Sequence, residues 1–588
     1  MQWPSWTIRA YADGVPSPRI MTQRSFRWLT ILGFVLWSGL RQADARDGIG
    51  AISLSSRDDS VASFLESWSG AGTLSGLTWP RFPNYRDEVT SLYSGGDWRP
   101  LWSDSGRPTE DARTVISLLR DARERGLRPE DYDALALQRR FDELSAPERR
   151  GARDVAWFDL ALSIGILRHL SDVHMGRVNP KHLAVGINVE RKKLDLARFI
   201  REALERRRVA ELVRDAEPTF VQYRNLKTIL AHYRTLAADP SLPTLAVKGI
   251  VRPGDSLATM PALRRRLVAF GDLPVEAAAA DESHYSGEVV AAVARFQERH
   301  GLTVDSVIGP GTLAALNVTP AKRVRQIELA LERIRWLPAL DAGPFVVVNV
   351  PGFTLYAFDS LGSSGAPTLT MNVVVGSADV GRRTPLFERD MEYLVFRPYW
   401  VIPPGILSRE ILPAVRRSSA YLSRNDMEVY RGSGDTGPAL PATPANLARV
   451  GRGGIGIRQR PGPHNSLGLV KFIFPNDHNV YMHDTPATEL FSRARRDFSH
   501  GCIRLEDPAG FAVWVLRDSV TWSAERVRDA MERGPNSRRV NLARPLPVVI
   551  YYATAVVRPT GVPAFYDDIY GHDARLEREL AKGYPYRP

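Results

Sequence analysis

One cysteine, Cys502, serves the whole 588-residue chain, so no intramolecular disulfide can staple it. Whatever fold it adopts must be held by buried apolar surface. Single cores rarely grow beyond about 250–300 residues, so a chain of this length divides into several domains. Hydrophobic residues at 44% supply the material for such cores, and with charged residues at 24% the composition is that of a globular chain, neither disordered nor membrane-embedded. The lone thiol also has a setting suited to chemistry. It lies in Phe498-Ser499-His500-Gly501-Cys502-Ile503-Arg504-Leu505, where Gly501 permits a tight turn. His500 and Arg504 make the surroundings polar and partly positive, which is expected to favour the thiolate.

A nucleophilic cysteine needs a base, and His483 stands a short strand-and-loop distance upstream in Val480-Tyr481-Met482-His483-Asp484-Thr485-Pro486. Val480 to Met482 read as a strand end that would hold the imidazole on a rigid element, and Asp484 to Pro486 break the strand into a turn. A histidine placed in this way before a Gly-Cys turn meets the nucleophile-plus-base requirement of acyl transfer.

These two runs together resemble the active-site signature of the L,D-transpeptidases with a YkuD-type catalytic domain, enzymes that rebuild peptidoglycan cross-links with a cysteine nucleophile. The similarity extends through Val373-Val374-Val375-Gly376, Arg383-Thr384-Pro385, Pro398-Tyr399-Trp400 and the run from Arg458 to Gly468. From about residue 345 to 555 the chain follows the pattern of the larger Gram-negative members. Arg397 departs from the asparagine expected before Pro-Tyr-Trp, Ser466 from a common alanine, and Arg504 from the asparagine of smaller members. These departures bear on substrate contacts and leave the nucleophile and base untouched.

The resemblance implies two-step acyl transfer. Cys502 would attack the diaminopimelate carbonyl of a donor stem tetrapeptide and expel D-alanine, and an amine on a second stem would resolve the thioester into a 3-3 cross-link. His483 would shuttle the proton, and the N–H groups around Gly501 and Cys502 would receive the oxyanion. A backbone carbonyl, Asp484 or Ser499 could orient His483. Ser499, His500, Arg504, Tyr481, Trp400 and Asn465 are candidate substrate contacts or pocket-shaping residues. Hydrolysis of the same thioester by water, as in an L,D-carboxypeptidase or endopeptidase, and a non-catalytic wall-binding role are the alternatives. No cofactor and no metal are expected.

The net charge of +12 implies an anionic partner such as nucleic acid, a membrane surface or a wall polymer. Residues 21–45 choose among them, because Arg24 and Arg27, the apolar run Trp28 to Leu40 and Ala43-Asp44-Ala45 read as a secretory signal, with Met21 a candidate initiator. The expected setting is the periplasm, with peptidoglycan stem peptides and glycan as partners, no nucleic acid, and no membrane span once the signal is cleaved.

The fold expected is α+β and multidomain. Residues 46–80 read as a Ser/Gly-rich linker, 81–246 as a helical scaffold and 250–320 as a small three-helix module resembling peptidoglycan-binding units. In that module Phe296 and Leu302 read as core, while Arg295 and Gln297 could face a ligand. Residues 340–557 read as a mostly β catalytic domain with a polar lid insertion at 408–454, and 558–588 as a tail. In the scaffold, His169, Asp172 and His174 raise the thought of a metal but lack a completing ligand, so packing roles are expected.

Overall fold

The computed structural model describes residues 60–146, 151–183, 192–279, 283–338, 340, 343–360, 365–418, 420–432 and 434–586. The segment read as a signal, 21–45, lies outside the described residues, as does the start of the expected linker. The rest of that linker requires correction. Helix α1 (Val61–Ala71) starts at Ser60, whose hydroxyl accepts from the Ser63 N–H at 3.2 Å, and it ends on a left-handed Gly72. Leu65, Leu74 and Leu77 are buried with α2 (Ala152–Met175), the long central helix of the scaffold. Their apolar surface is worth more in that core than in a solvated linker.

Helix α3 (Val221–Ala238) leads into the module predicted from periodicity: α4 (Met260–Ala269), α5 (Gly287–Arg299) and α6 (Pro310–Leu316) enclose Leu263, Leu267, Val293, Phe296 and Leu316. Gln297, expected to face a ligand, is instead buried. Its amide donates to Asp305, Val307 and Thr312 while its oxygen receives the Asp305 and Ser306 N–H groups. Arg295 is likewise spent on the Asp272 carbonyl. Helix α7 (Pro320–Trp336) packs on α3 and carries the chain into the catalytic region.

There the β-branched and aromatic runs form a nine-stranded sheet from β1 (Phe345–Asn349), β2 (Thr354–Phe358), β3 (Leu369–Gly376), β4 (Glu388–Phe396), then β9 (Val470–Ile473), β10 (Met482–His483), β11 (Asp497–Ser499), β12 (Ile503–Leu505) and β13 (Arg538–Tyr551). Their order is β11-β3-β12-β10-β9-β4-β13-β1-β2, and β2 pairs back onto β3, so the sheet closes on itself and leaves few exposed edges. Helix α8 (Pro508–Val515) covers its core through Phe511 and Ala512.

The insertion is no structureless loop. Strands β5 (Trp400–Val401), β6 (Met427–Arg431), β7 (Ala439–Leu440) and β8 (Ile455–Gln459) form a separate sheet ordered β5-β8-β6-β7. Val429, Ile455 and Ile457 meet Leu407 and Ile411 in a core of its own. A polar composition concealed this because alternate residues of these short strands face inward.

The expected tail is corrected in the same way. Strands β14 (Ala555–Val557) and β15 (Pro563–Phe565) pair, and helix α9 (His572–Leu580) follows. Tyr584 then donates a hydrogen bond to the buried Asp172, so the C-terminal segment ties the scaffold to the catalytic region. Asp172 also accepts from Tyr132 at 2.7 Å, and His174 contacts the Ala216 carbonyl at 3.1 Å. Those partners give the scaffold group structural work, and among the described residues no cluster of metal-ligating side chains occurs. Nor is any helix among them long and apolar enough to cross a membrane.

Candidate active site

Parallel pairing of β10 with β12 sets the site. Met482 lies opposite Ile503 and His483 opposite Arg504, so the histidine's strand runs beside the one that begins directly after Cys502. The Ile503 N–H donates to the Tyr481 carbonyl at 3.1 Å and ties the two strands together beside Cys502. His483 is 4% exposed, and its Nδ1 lies 2.6 Å from the Asp484 carbonyl oxygen. A carbonyl can only accept, so Nδ1 carries the proton and Nε2 is left as the base. Asp484 thus orients the imidazole through its main chain. Its carboxylate serves elsewhere, accepting from the Leu469 N–H at 2.8 Å and the Thr485 N–H at 2.6 Å.

Cys502 sits on a turn braced from both sides. Gly501 has φ +124°, a conformation that L side chains rarely adopt, whereas the space beside its Cα would admit a methyl. Backbone geometry, not crowding, therefore requires glycine. The Ser499 hydroxyl donates to the Cys502 carbonyl at 2.5 Å and accepts from the Gly501 N–H at 3.0 Å. The Gly501 carbonyl accepts from Thr384 Oγ1 at 2.9 Å, and that same oxygen receives the Gly376 N–H at 2.8 Å. Tyr570 joins the brace by accepting from the Thr384 N–H at 3.2 Å and donating to the Gly376 carbonyl at 2.5 Å.

The hydrogen bonds settle what three of the candidates do within the fold. Ser499 spends its hydroxyl on bracing the turn. The Gly501 N–H is committed to Ser499, so of that pair only the Cys502 N–H is left as a candidate oxyanion donor. Asn465, 1% exposed, spends its amide on the Pro398, Gln459 and Arg460 carbonyls and accepts from the Leu467 N–H, which makes it the pin of its own loop.

Cys502 is partly exposed, with Sγ 3.9 Å from the Asn479 carbonyl. Burial of its surroundings pushes the thiol up to about 11, against the opposing pull of Tyr481 and Arg504. Burial first, and then the Arg504 charge, draws His483 down to about 3. The resting pair is thus neutral thiol and neutral imidazole. This corrects the expectation of a standing thiolate: in a desolvated turn the cost of bare charge outweighs the nearby guanidinium. A neutral imidazole has the chemistry of a general base toward a neutral thiol.

Among the remaining candidates, Tyr481 places its ring 5.8 Å from that of His483, and burial followed by the Cys502 charge raises its hydroxyl well above the ordinary range. Arg504 keeps a buried Nε without a hydrogen-bond partner. His500 Nε2 lies 2.8 Å from Glu410, which also binds Arg382 at 2.8 Å. Trp400 belongs to β5 and packs on the insertion's core. Sequence reasoning missed Thr384, Tyr570 and Glu410 as site residues. Thr384 stood within a recognised motif, but its partner Tyr570 is far along the chain and carried no local signal.

Residues 343–550 match the family model of the YkuD L,D-transpeptidase catalytic domain, residues 258–316 one described as "Putative peptidoglycan binding domain", and residues 87–230 one described as "Scaffold domain". The chain thus combines an L,D-transpeptidase catalytic domain with a peptidoglycan-binding-type module and a helical region. A protein of Haemophilus influenzae named "Putative L,D-transpeptidase" is 26% identical over 265 residues, 44% of this chain and 51% of the relative. The chain spans about half the length of that curated relative. A crystal structure from Clostridium acetobutylicum, described as a fused Zn-dependent amidase/peptidase/peptidoglycan-binding domain-containing protein, aligns at 12% identity over 52% of this chain and 100% of its own, with a TM-score of 0.15.

Proposed function

We propose that this protein is an exported L,D-transpeptidase that forms 3-3 cross-links between peptidoglycan stem peptides through a thioester on Cys502. The observation that carries the reading is the fixed tautomer of His483, whose Nδ1 is held by the Asp484 carbonyl beside the braced Cys502 turn. As Sγ attacks the carbonyl of the third stem residue, Nε2 takes the thiol proton and then returns it to the departing D-alanine amine. The amine of a second stem, deprotonated by the same imidazole, attacks the thioester and restores the thiol. The Cys502 N–H faces the developing oxyanion, a role that removal of a comparable donor shows is worth about 10²–10³ in rate. Burial, seconded by the Arg504 charge, keeps His483 neutral between steps.

Export is part of the proposal because the substrate polymer lies outside the cytoplasm, and the signal-like segment 21–45 supports it. Incubation of the purified protein with muropeptides, followed by mass spectrometry, tests the reading. A dimer joined between two third-position residues is the expected product. Only shortened stems would assign hydrolysis instead.

A further inference from the structure

A cavity of about 430 Å³ opens beside the catalytic turn, and its wall includes His500 and Gly501 but neither Cys502 nor His483. Arg383, Arg575, His478, His572 and Thr384 complete its polar lining, and no carboxylate lines it among the described residues. Such a wall suits an anion. The nearby acids are occupied: Glu410 holds His500 and Arg382, while Asp568 takes the Tyr552 hydroxyl and the His572, Asp573 and Ala574 N–H groups at the start of α9. Arg383 is spent on the Ala378 and Tyr570 carbonyls at 2.9 and 2.8 Å, neutral partners that leave its charge uncompensated.

His572 supplies the second observation. It is 5% exposed, and its buried Nδ1 has no hydrogen-bond partner. Burial and then Arg333 draw it down to about 3; Asp568 opposes them, and Arg575 and Arg383 add to the downward pull. An unpartnered donor-acceptor ring held neutral in a field of guanidinium groups is costly, and an entering anion would relieve that cost. Both His572 and Arg575 come from α9, beyond the stretch that matches the catalytic domain model.

Resting on the transpeptidase reading, we infer that this cavity receives a free carboxylate of the stem peptide, with the C-terminal helix supplying Arg575 and His572 as specificity residues. A carboxylate bound there would lie next to Gly501 and hold the peptide against the nucleophilic turn.

The test uses equilibrium binding to full-length Cys502→Ala protein, so it reads affinity without turnover. The probes are a stem tetrapeptide, its C-terminal amide and its diaminopimelate amide. One amide should bind about tenfold more weakly than the parent, the loss expected for a charge-assisted contact. Arg575→Gln should weaken the parent by a similar factor and leave that amide unaffected, Arg575→Lys should restore part of the loss, and His572→Gln should act in the same direction as Arg575→Gln. Equal binding of all three peptides would overturn the inference, as would succinate binding as tightly as the peptide. Failure of the transpeptidase reading shows separately, as absence of the 3-3 cross-linked dimer from muropeptides incubated with the unsubstituted protein.

Discussion

Two buried histidines in different regions, His169 in the scaffold and His483 in the catalytic domain, look alike by every electrostatic measure. Both are drawn below the ordinary imidazole range by burial, and both sit near arginine: Arg125 and Arg335 for His169, Arg504 for His483. Their neighbours separate them. His169 is fully enclosed, packs edge-on against Tyr132 at 4.7 Å, and has no partner on either ring nitrogen. His483 has one nitrogen fixed by a carbonyl at 2.6 Å and stands on the strand paired with the one that follows Cys502. A perturbed pKa marks desolvation. Only the hydrogen bond that selects a tautomer, together with a reacting neighbour, turns it into a catalytic role.

The comparison breaks most sharply at the nucleophile. Cys502→Ala and Cys502→Ser should each lower turnover at least about a thousandfold, since a hydroxyl with its much higher pKa cannot replace sulfur here. Normal cross-linking by either variant would remove the catalytic assignment. Next in size, His483→Ala should reduce kcat by about 10²–10⁴ with the fold retained by circular dichroism, while His169→Phe should leave kcat roughly unchanged. The reverse ordering would mean that the electrostatic likeness, not the local geometry, is what matters.

Ser499→Ala removes two hydrogen bonds from the turn. It should cost about 1–3 kcal/mol in activation free energy, read as a fall in kcat with KM nearly constant. An unchanged kcat would show that Thr384 and Tyr570 suffice to hold the turn.

On stability, the two histidines should act together. Each binds its proton less readily in the folded state than in the unfolded chain, where imidazole titrates near about 6.5. Below about pH 6.5, and down to about pH 3 in the case of His483, the unfolded state therefore binds more protons, and stability falls as pH drops. His483→Gln and His169→Phe should each flatten this acid limb in thermal melts across pH. Cys502, raised to about 11, should erode stability on the alkaline side, because above about pH 8.5 the unfolded chain releases a proton that the folded one keeps. The smallest effect is expected for Glu410→Gln. Its contacts to His500 and Arg382 are about one-third exposed on both sides, so the change should stay within about 1 kcal/mol and shrink further in high salt. Hydrogen exchange at residues 404–417 would show whether even that weak clasp holds the insertion against the turn.

What the chain determines by itself is local. The Gly-Cys turn, the histidine at a strand end, the three short helices of the module and the β-branched runs of the catalytic sheet depend on neighbours a few residues apart, and each is legible in order along the chain. Which polar atoms stay available is decided only when distant segments meet. Ser499, Asn465 and Gln297 have the chemistry of ligand contacts, yet Cys502, Pro398 and Asp305 consume their hydrogen bonds inside the fold. Tyr570 and α9 looked like a tail until the fold laid them against Thr384 and the wall beside Gly501. The protonation state of Cys502 belongs to the same class, since His500 and Arg504 in the sequence predict a thiolate, whereas the desolvation that opposes it is a property of the assembled site and falls on whichever group the surrounding strands enclose.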